Sequence, residues 1–103
     1  MKVLESMKTL PELKTELELL KPALKKRYNV ETIAIFGSYS RGEQTQKSDL
    51  DLLVTFSDSV GVYKFIEVEQ FIRRKLGVKV DLVQKEAVLP MMKEQIMNET
   101  LEI

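Results

Sequence analysis

At 103 residues, with 16 basic and 16 acidic side chains, the chain has room for one hydrophobic core and carries no net charge at neutral pH,. That balance argues against the basic surface of a protein that holds long nucleic acid. Cysteine and histidine are both absent, which excludes disulfides, thiolate zinc sites, Cys-His dyads and Ser-His-Asp triads but leaves an oxygen-only metal site open,.

In chain order, the N-terminus has no apolar run of signal-peptide length. No uninterrupted stretch approaches the roughly 18 apolar residues needed to cross a bilayer, so a cytoplasmic protein with no membrane contact is expected,. Thr9-Leu-Pro-Glu12 has the form of a capping box, and Leu10, Leu13, Leu17 and Leu20 recur at helical spacing, which predicts a helix with one apolar stripe,. Pro22 predicts either a kink or a new short helix from Pro22 to Tyr28, with Leu24 and Tyr28 inward,. Lys21, Lys25, Lys26 and Arg27 read as a solvated basic face,.

A first strand is predicted near Glu31 to Phe36, then a polar connection from Arg41 to Ser48 that holds at most a short helical turn,. A second strand runs from Leu50 to Phe56. Ser57-Asp-Ser59 supplies a helix cap, and Val62, Phe65, Val68, Ile72 and Leu76 mark an amphipathic helix ending at Gly77,. That helix crosses over to a third strand, Val78 to Gln84. Pro90 suits the first turn of a last helix carrying Leu89, Met92 and Ile96 at helical spacing, with Met91, Met92 and Met97 read as core or half-buried packing,. Leu101 to Ile103 can add an edge strand. The pattern predicts one domain over 1–103 with an α+β fold, an α/β sandwich in which helices pack on one face of a small mixed sheet.

The chemistry concentrates in Ile33-Ala-Ile-Phe-Gly-Ser-Tyr-Ser-Arg-Gly42 and the Asp49-Leu-Asp51-Leu-Leu-Val54 that follows. Residues at i and i+2 of a strand share a face, so Asp49 and Asp51 aim at one point while Leu50, Leu52 and Val54 cover the other side. Beyond its first residues this strand is apolar on both sides, as expected for a strand covered on both faces. Asp81 in Val78-Lys-Val-Asp81-Leu-Val83 is a third acid; if the two strands are neighbours, roughly 4.8 Å apart, it can lie beside the other two. Clustered carboxylates repel unless a cation intervenes, and Mg²⁺ suits such a set together with substrate phosphates. Two ions about 3.5–4 Å apart can serve an in-line displacement at phosphorus. Gly37 lets backbone approach a phosphate, Ser38 offers an amide and a hydroxyl, and Arg41 offers a guanidinium to a triphosphate. Each feature alone has a bland reading as a turn or a solvated edge, and their conjunction favours the site. A Walker phosphate loop is excluded, because Glu43-Gln44 stands where Lys-Ser/Thr is required,.

Gly37-Ser38, ten intervening residues and Asp49-x-Asp51 resemble the signature of the DNA-polymerase-β-like nucleotidyltransferases. With Phe36, Arg41-Gly42 and Ser48 in place, the segment from Ile33 to Val83 is similar specifically to the minimal nucleotidyltransferase family. The resemblance implies a polymerase-β-like palm. It makes Asp49, Asp51 and Asp81 metal ligands and catalytic acids, with Asp81 helping to deprotonate the acceptor, and it makes Gly37, Ser38 and Arg41 the nucleotide site. It further implies an antitoxin that pairs with a HEPN-type toxin and transfers AMP from ATP, or NMP from another NTP, to a tyrosine of that partner with Mg²⁺, two ions being expected. The alternatives are a non-catalytic binding antitoxin and a small-molecule, aminoglycoside-type nucleotidyltransferase, for which no residues are left to form an acceptor domain. An oligomer is left open.

Overall fold

The computed structural model describes residues 8–88 and 90–103. Thr9 starts α1 (Leu10–Tyr28) through a complete capping box: its hydroxyl accepts from the Glu12 amide, and the Glu12 carboxylate accepts from the Thr9 amide at 2.8 Å. Next come β1 (Val30–Phe36), the single turn α2 (Ser38–Arg41), β2 (Leu50–Phe56), α3 (Val62–Leu76) and β3 (Val80–Gln84). A 3₁₀ turn (Lys85–Ala87), α4 (Pro90–Asn98) and β4 (Leu101–Glu102) complete the order. The strands form one mixed sheet in the order β3-β2-β1-β4, with β2 and β3 parallel and the other two pairs antiparallel.

One face of this sheet is covered by α1 and α3. Leu50, Leu52 and Val54 of β2 are each 0% exposed there, among Ile33, Ile35, Leu13, Leu17, Val68 and Ile72. The strand alternation expected for β2 therefore holds. The expectation of cover on both faces does not, because Asp51 and Thr55 remain half-buried on the opposite side and only Leu53 is buried there. Toward the end of β2 that face meets α4, where Met97 lines a cavity with Ala34, Leu53 and Thr55.

Several boundaries differ from the sequence pattern for identifiable reasons. Helix α1 runs unbroken through Pro22 with no second helix. The buried Leu13, Leu17, Leu24 and Tyr28 keep one stripe across the proline, whose ring is exposed, so tertiary packing outweighs the lost hydrogen bond,. Strand β1 carries a bulge: Val30 opposes Phe56 while Thr32 opposes Thr55, which leaves Glu31 as the extra residue and turns Val30 into the core,. The cap expected from Ser57 and Ser59 is absent. Gly61 occupies the N-cap of α3 without a side-chain bond, and the Ser57 amide instead donates to the Asn29 carbonyl at 2.9 Å. Gly77 does end α3 in the left-handed conformation, as expected.

Part of the basic run on α1 packs rather than merely solvating: the Arg27 guanidinium lies 5.3 Å from the Tyr28 and Phe71 ring centres. Val62 is 70% exposed and leaves the apolar stripe, and Met92 and Met97 are 47% and 38% exposed rather than packed in the core. Leu89, and the packing expected of the Met91 side chain, lie outside the described residues. Among the described residues no helix is long and apolar enough to cross a membrane.

The exposed proline gives a direct test of this packing. Proline costs about 3 kcal/mol relative to alanine in a helix interior, less up to about 1 kcal/mol for its stiffening of the unfolded chain. Pro22→Ala is therefore expected to stabilise the protein by about 1–3 kcal/mol in a urea titration; an unchanged or lowered midpoint contradicts a continuous α1.

Candidate active site

The acids are brought together by strand register. Asp49 immediately precedes β2, and Asp51 sits inside it directly opposite Asp81 on the parallel β3 and opposite Phe36 on the antiparallel β1. Laterally paired residues point to the same face, so both aspartates project to the side away from α1 and α3. The Leu50 amide donates to the Lys79 carbonyl at 2.8 Å, which pins the start of β3 against the start of β2.

Because Phe36 pairs with Asp51, the residue after Phe36 arrives beside that carboxylate. Gly37 has φ 78° and ψ −150°, a region essentially confined to glycine, and a Cβ added there would overlap the Asp51 carboxylate, with Cγ only 3.0 Å away,. The glycine thus meets two requirements at once. It also caps α2 by accepting from the Ser40 amide at 3.1 Å and the Ser40 hydroxyl at 2.9 Å. The helical turn occupies Ser38–Arg41, ahead of the 41–48 connection where a turn was expected. Ser48 stabilises that connection by accepting from the Thr45 amide at 2.9 Å.

The electrostatics reflect the same placement. Desolvation raises the Asp51 pKa, the neighbouring charges of Asp81 and Asp49 raise it further, and Arg41 partly offsets them,. Two other acids and the arginine therefore act on the Asp51 carboxylate. Among the described residues none of the three carboxylates has a hydrogen bond or ion pair of its own, and no group of three acids closes into a preformed cation cage. They form an open, all-oxygen rim. That donor set fits a hard divalent ion that keeps several waters or takes substrate oxygens as its remaining ligands.

Arg41 is nearby but occupied: its Nε donates to Glu43 at 3.0 Å and its Nη1 to Glu99 at 2.9 Å. Sequence reasoning missed these partners, and it also missed Tyr39. The Tyr39 side chain is 4% exposed and anchors α2 in the core, while burial and the Asp49 charge push its phenol pKa upward. A lone large residue within Gly-Ser-Tyr-Ser-Arg was the available signal.

The sheet thus carries two parallel-strand carboxylates opposite each other, with a glycine turn against one of them. The nucleotidyltransferase domain model matches residues 17–103, and the chain belongs to that family. Within it, the chain is a minimal nucleotidyltransferase with the polymerase-β-like fold. A relative from Thermococcus cleftensis named protein adenylyltransferase MntA is 38% identical over 96 residues, covering 93% of this chain and 97% of the relative. A Methanocaldococcus jannaschii relative, provisionally named a protein adenylyltransferase, is 51% identical over 82 residues, with 80% and 84% of the two chains covered. A solved toxin–antitoxin structure with AMP-PNP superposes with a TM-score of 0.68 at 27% identity, covering 84% of this chain and 70% of that one.

Two substitutions probe the geometry. Gly37→Ala introduces both the φ strain and the overlap with Asp51, and is expected to cost about 1–3 kcal/mol of stability in urea; an unchanged midpoint would show that the turn is not held as described. For Asp51 the folded pKa lies above the unfolded one, so ionisation costs the folded state at neutral pH and the cost disappears below the unfolded pKa,. Asp51→Asn is therefore expected to raise the melting temperature near neutral pH, with the gain fading to nothing toward about pH 3. A variant that melts below wild type at neutral pH contradicts this.

Proposed function

We propose that the chain is a Mg²⁺-dependent adenylyltransferase that moves AMP from ATP onto a tyrosine hydroxyl of a HEPN-type toxin, and so acts as that toxin's antitoxin in the cytoplasm. The observation that carries the proposal is the pairing of Asp51 with Asp81 while Gly37 touches the same carboxylate. Metal ligands and a phosphate-approach turn thereby share one face. The names of the relatives support AMP as the transferred group, and the toxin–antitoxin complex with AMP-PNP supports a protein partner and an ATP-like donor.

In this reading Asp49 and Asp51 from β2 and Asp81 from β3 hold the ions, two being expected. Bound Mg²⁺ would neutralise the charge that develops on the phosphates during transfer. Gly37 admits the backbone close to the triphosphate, and Ser38 donates from its amide and hydroxyl. Arg41 turns its guanidinium from a glutamate to a phosphate. The acceptor oxygen attacks the α-phosphorus, the bond to the β-phosphate oxygen breaks, and pyrophosphate leaves. A tyrosine hydroxyl, with a pKa near 10, ionises too rarely at neutral pH to react unaided. Asp81 orients that hydroxyl and assists its deprotonation. Positioning and charge neutralisation supply most of the rate.

The test mixes the protein with a HEPN-type toxin and α-labelled ATP. Label is expected on the partner, and Asp49→Ala or Asp51→Ala should reduce transfer by roughly 10²-fold or more. Absence of label with wild-type protein, together with neutralisation that survives in both variants, would overturn the catalytic reading in favour of an antitoxin that works by covering its partner.

A further inference from the structure

Strand β3 is an edge strand, and the carboxylate it carries is exposed and lacks any side-chain bond among the described residues. The direction of the Asp81 side chain is therefore set by its backbone alone. In a parallel ladder the N–H and C=O groups of successive residues turn alternately toward and away from the neighbouring strand. Lys79 turns its carbonyl toward β2, where it accepts from Leu50. Val80 and Leu82, on either side of Asp81, consequently present their groups to the outside.

Two side chains of α3 take up those outward groups. The Val80 carbonyl accepts from Arg73 Nε at 3.2 Å and from Arg73 Nη2 at 2.7 Å. The Leu82 amide donates to Glu69 Oε2 at 3.2 Å. Glu69 and Arg73 stand one helical turn apart, with a carboxylate–guanidinium separation of 4.0 Å. The peptide groups flanking Asp81 are thus held from the outer edge by α3, while its own residue is held from the inner edge by β2.

We infer that Glu69 and Arg73 form a clamp that fixes the backbone on both sides of Asp81, making them positioning residues for its carboxylate at the metal rim. The inference rests on the reading of Asp81 as a metal ligand. Partners that orient a metal ligand typically contribute 10–100-fold to metal affinity. A clamp acting through the backbone stands one bond further away, so roughly 3–10-fold is expected here. The same pair also covers edge groups that would otherwise be available to another chain.

The experiment measures the apparent Kd of Mn²⁺ by electron paramagnetic resonance, with AMP-PNP saturating, for wild type, Glu69→Met, Arg73→Met, Glu69→Gln and Asp81→Ala. Melting curves confirm that each variant is folded. Both methionine variants are expected to weaken Mn²⁺ by roughly 3–10-fold and to change the spectrum of the bound ion. Glu69→Gln, which keeps an acceptor for the Leu82 amide, should restore affinity to within about twofold of wild type. In an Asp81→Ala background neither methionine substitution should weaken it further. If Asp81→Ala weakens Mn²⁺ but the methionine variants do not, the clamp is overturned and the ligand assignment stands. Methionine variants that keep Mn²⁺ affinity but self-associate reduce the pair to edge protection, which likewise overturns it. A loss that persists in the Asp81→Ala background marks a general structural effect and overturns it as well. If Asp81→Ala leaves Mn²⁺ binding unchanged, the ligand assignment itself fails and the inference fails with it.

Discussion

The arrangement depends on holding like charges side by side in a sheet, and the apolar face of β2 enforces it. Leu50, Leu52 and Val54 are each 0% exposed. Slipping the strand by one residue would expose them and drive Asp51 into the core. Burying three such side chains contributes roughly 5–9 kcal/mol. Repulsion between neighbouring carboxylates about 5 Å apart is about 1–3 kcal/mol at the effective dielectric of a half-exposed site. The core therefore wins, and Asp51 remains ionisable beside Asp81 at a cost the rest of the fold absorbs.

The backbone approach of Gly37 follows from the same register. Once Phe36 is fixed opposite Asp51, the next residue must turn sharply to leave the sheet at the acidic rim. Only glycine fits there, both in conformation and in the space left by the carboxylate. Tyr39 then drives α2 into the core and holds the turn where the chain leaves it. Site and core are consequently coupled: the side chains that bury surface on one face determine which groups meet on the other.

What the sequence made legible was local. The alternation in Asp49-Leu-Asp51-Leu has a period of two, so the shared face of the acids could be read from neighbouring residues, and Asp81 was visible as an acid in a second β-branched run. The strand and helix types of α1, β1, β2, α3 and β3 were legible for the same reason, since each carries its own periodicity. The missed features depend on contacts between distant residues. Arg41 meets Glu99 across 58 positions, and the Leu82 amide finds Glu69 on the preceding helix. Neither leaves a local trace. The start of α3 was misplaced because serine is a good cap only where the chain leaves it unengaged, and Ser57 is committed to Asn29.

Arg41 links this local chemistry to the C-terminal segment. Glu99 follows α4 directly, and two residues later the chain enters β4 against β1, so residues 99–103 both hold the guanidinium and close the sheet edge. The Arg41 and Glu99 side chains are 40% and 27% exposed. An ion pair of that exposure is screened by solvent and holds its partner only weakly. A triphosphate delivered to the acidic rim offers Arg41 the stronger partner. In the proposed reaction Arg41 exchanges Glu99 for a phosphate oxygen. Without nucleotide the guanidinium bonds Glu43 and Glu99 instead of Asp51, which in that reading leaves the Asp51 carboxylate open to a cation.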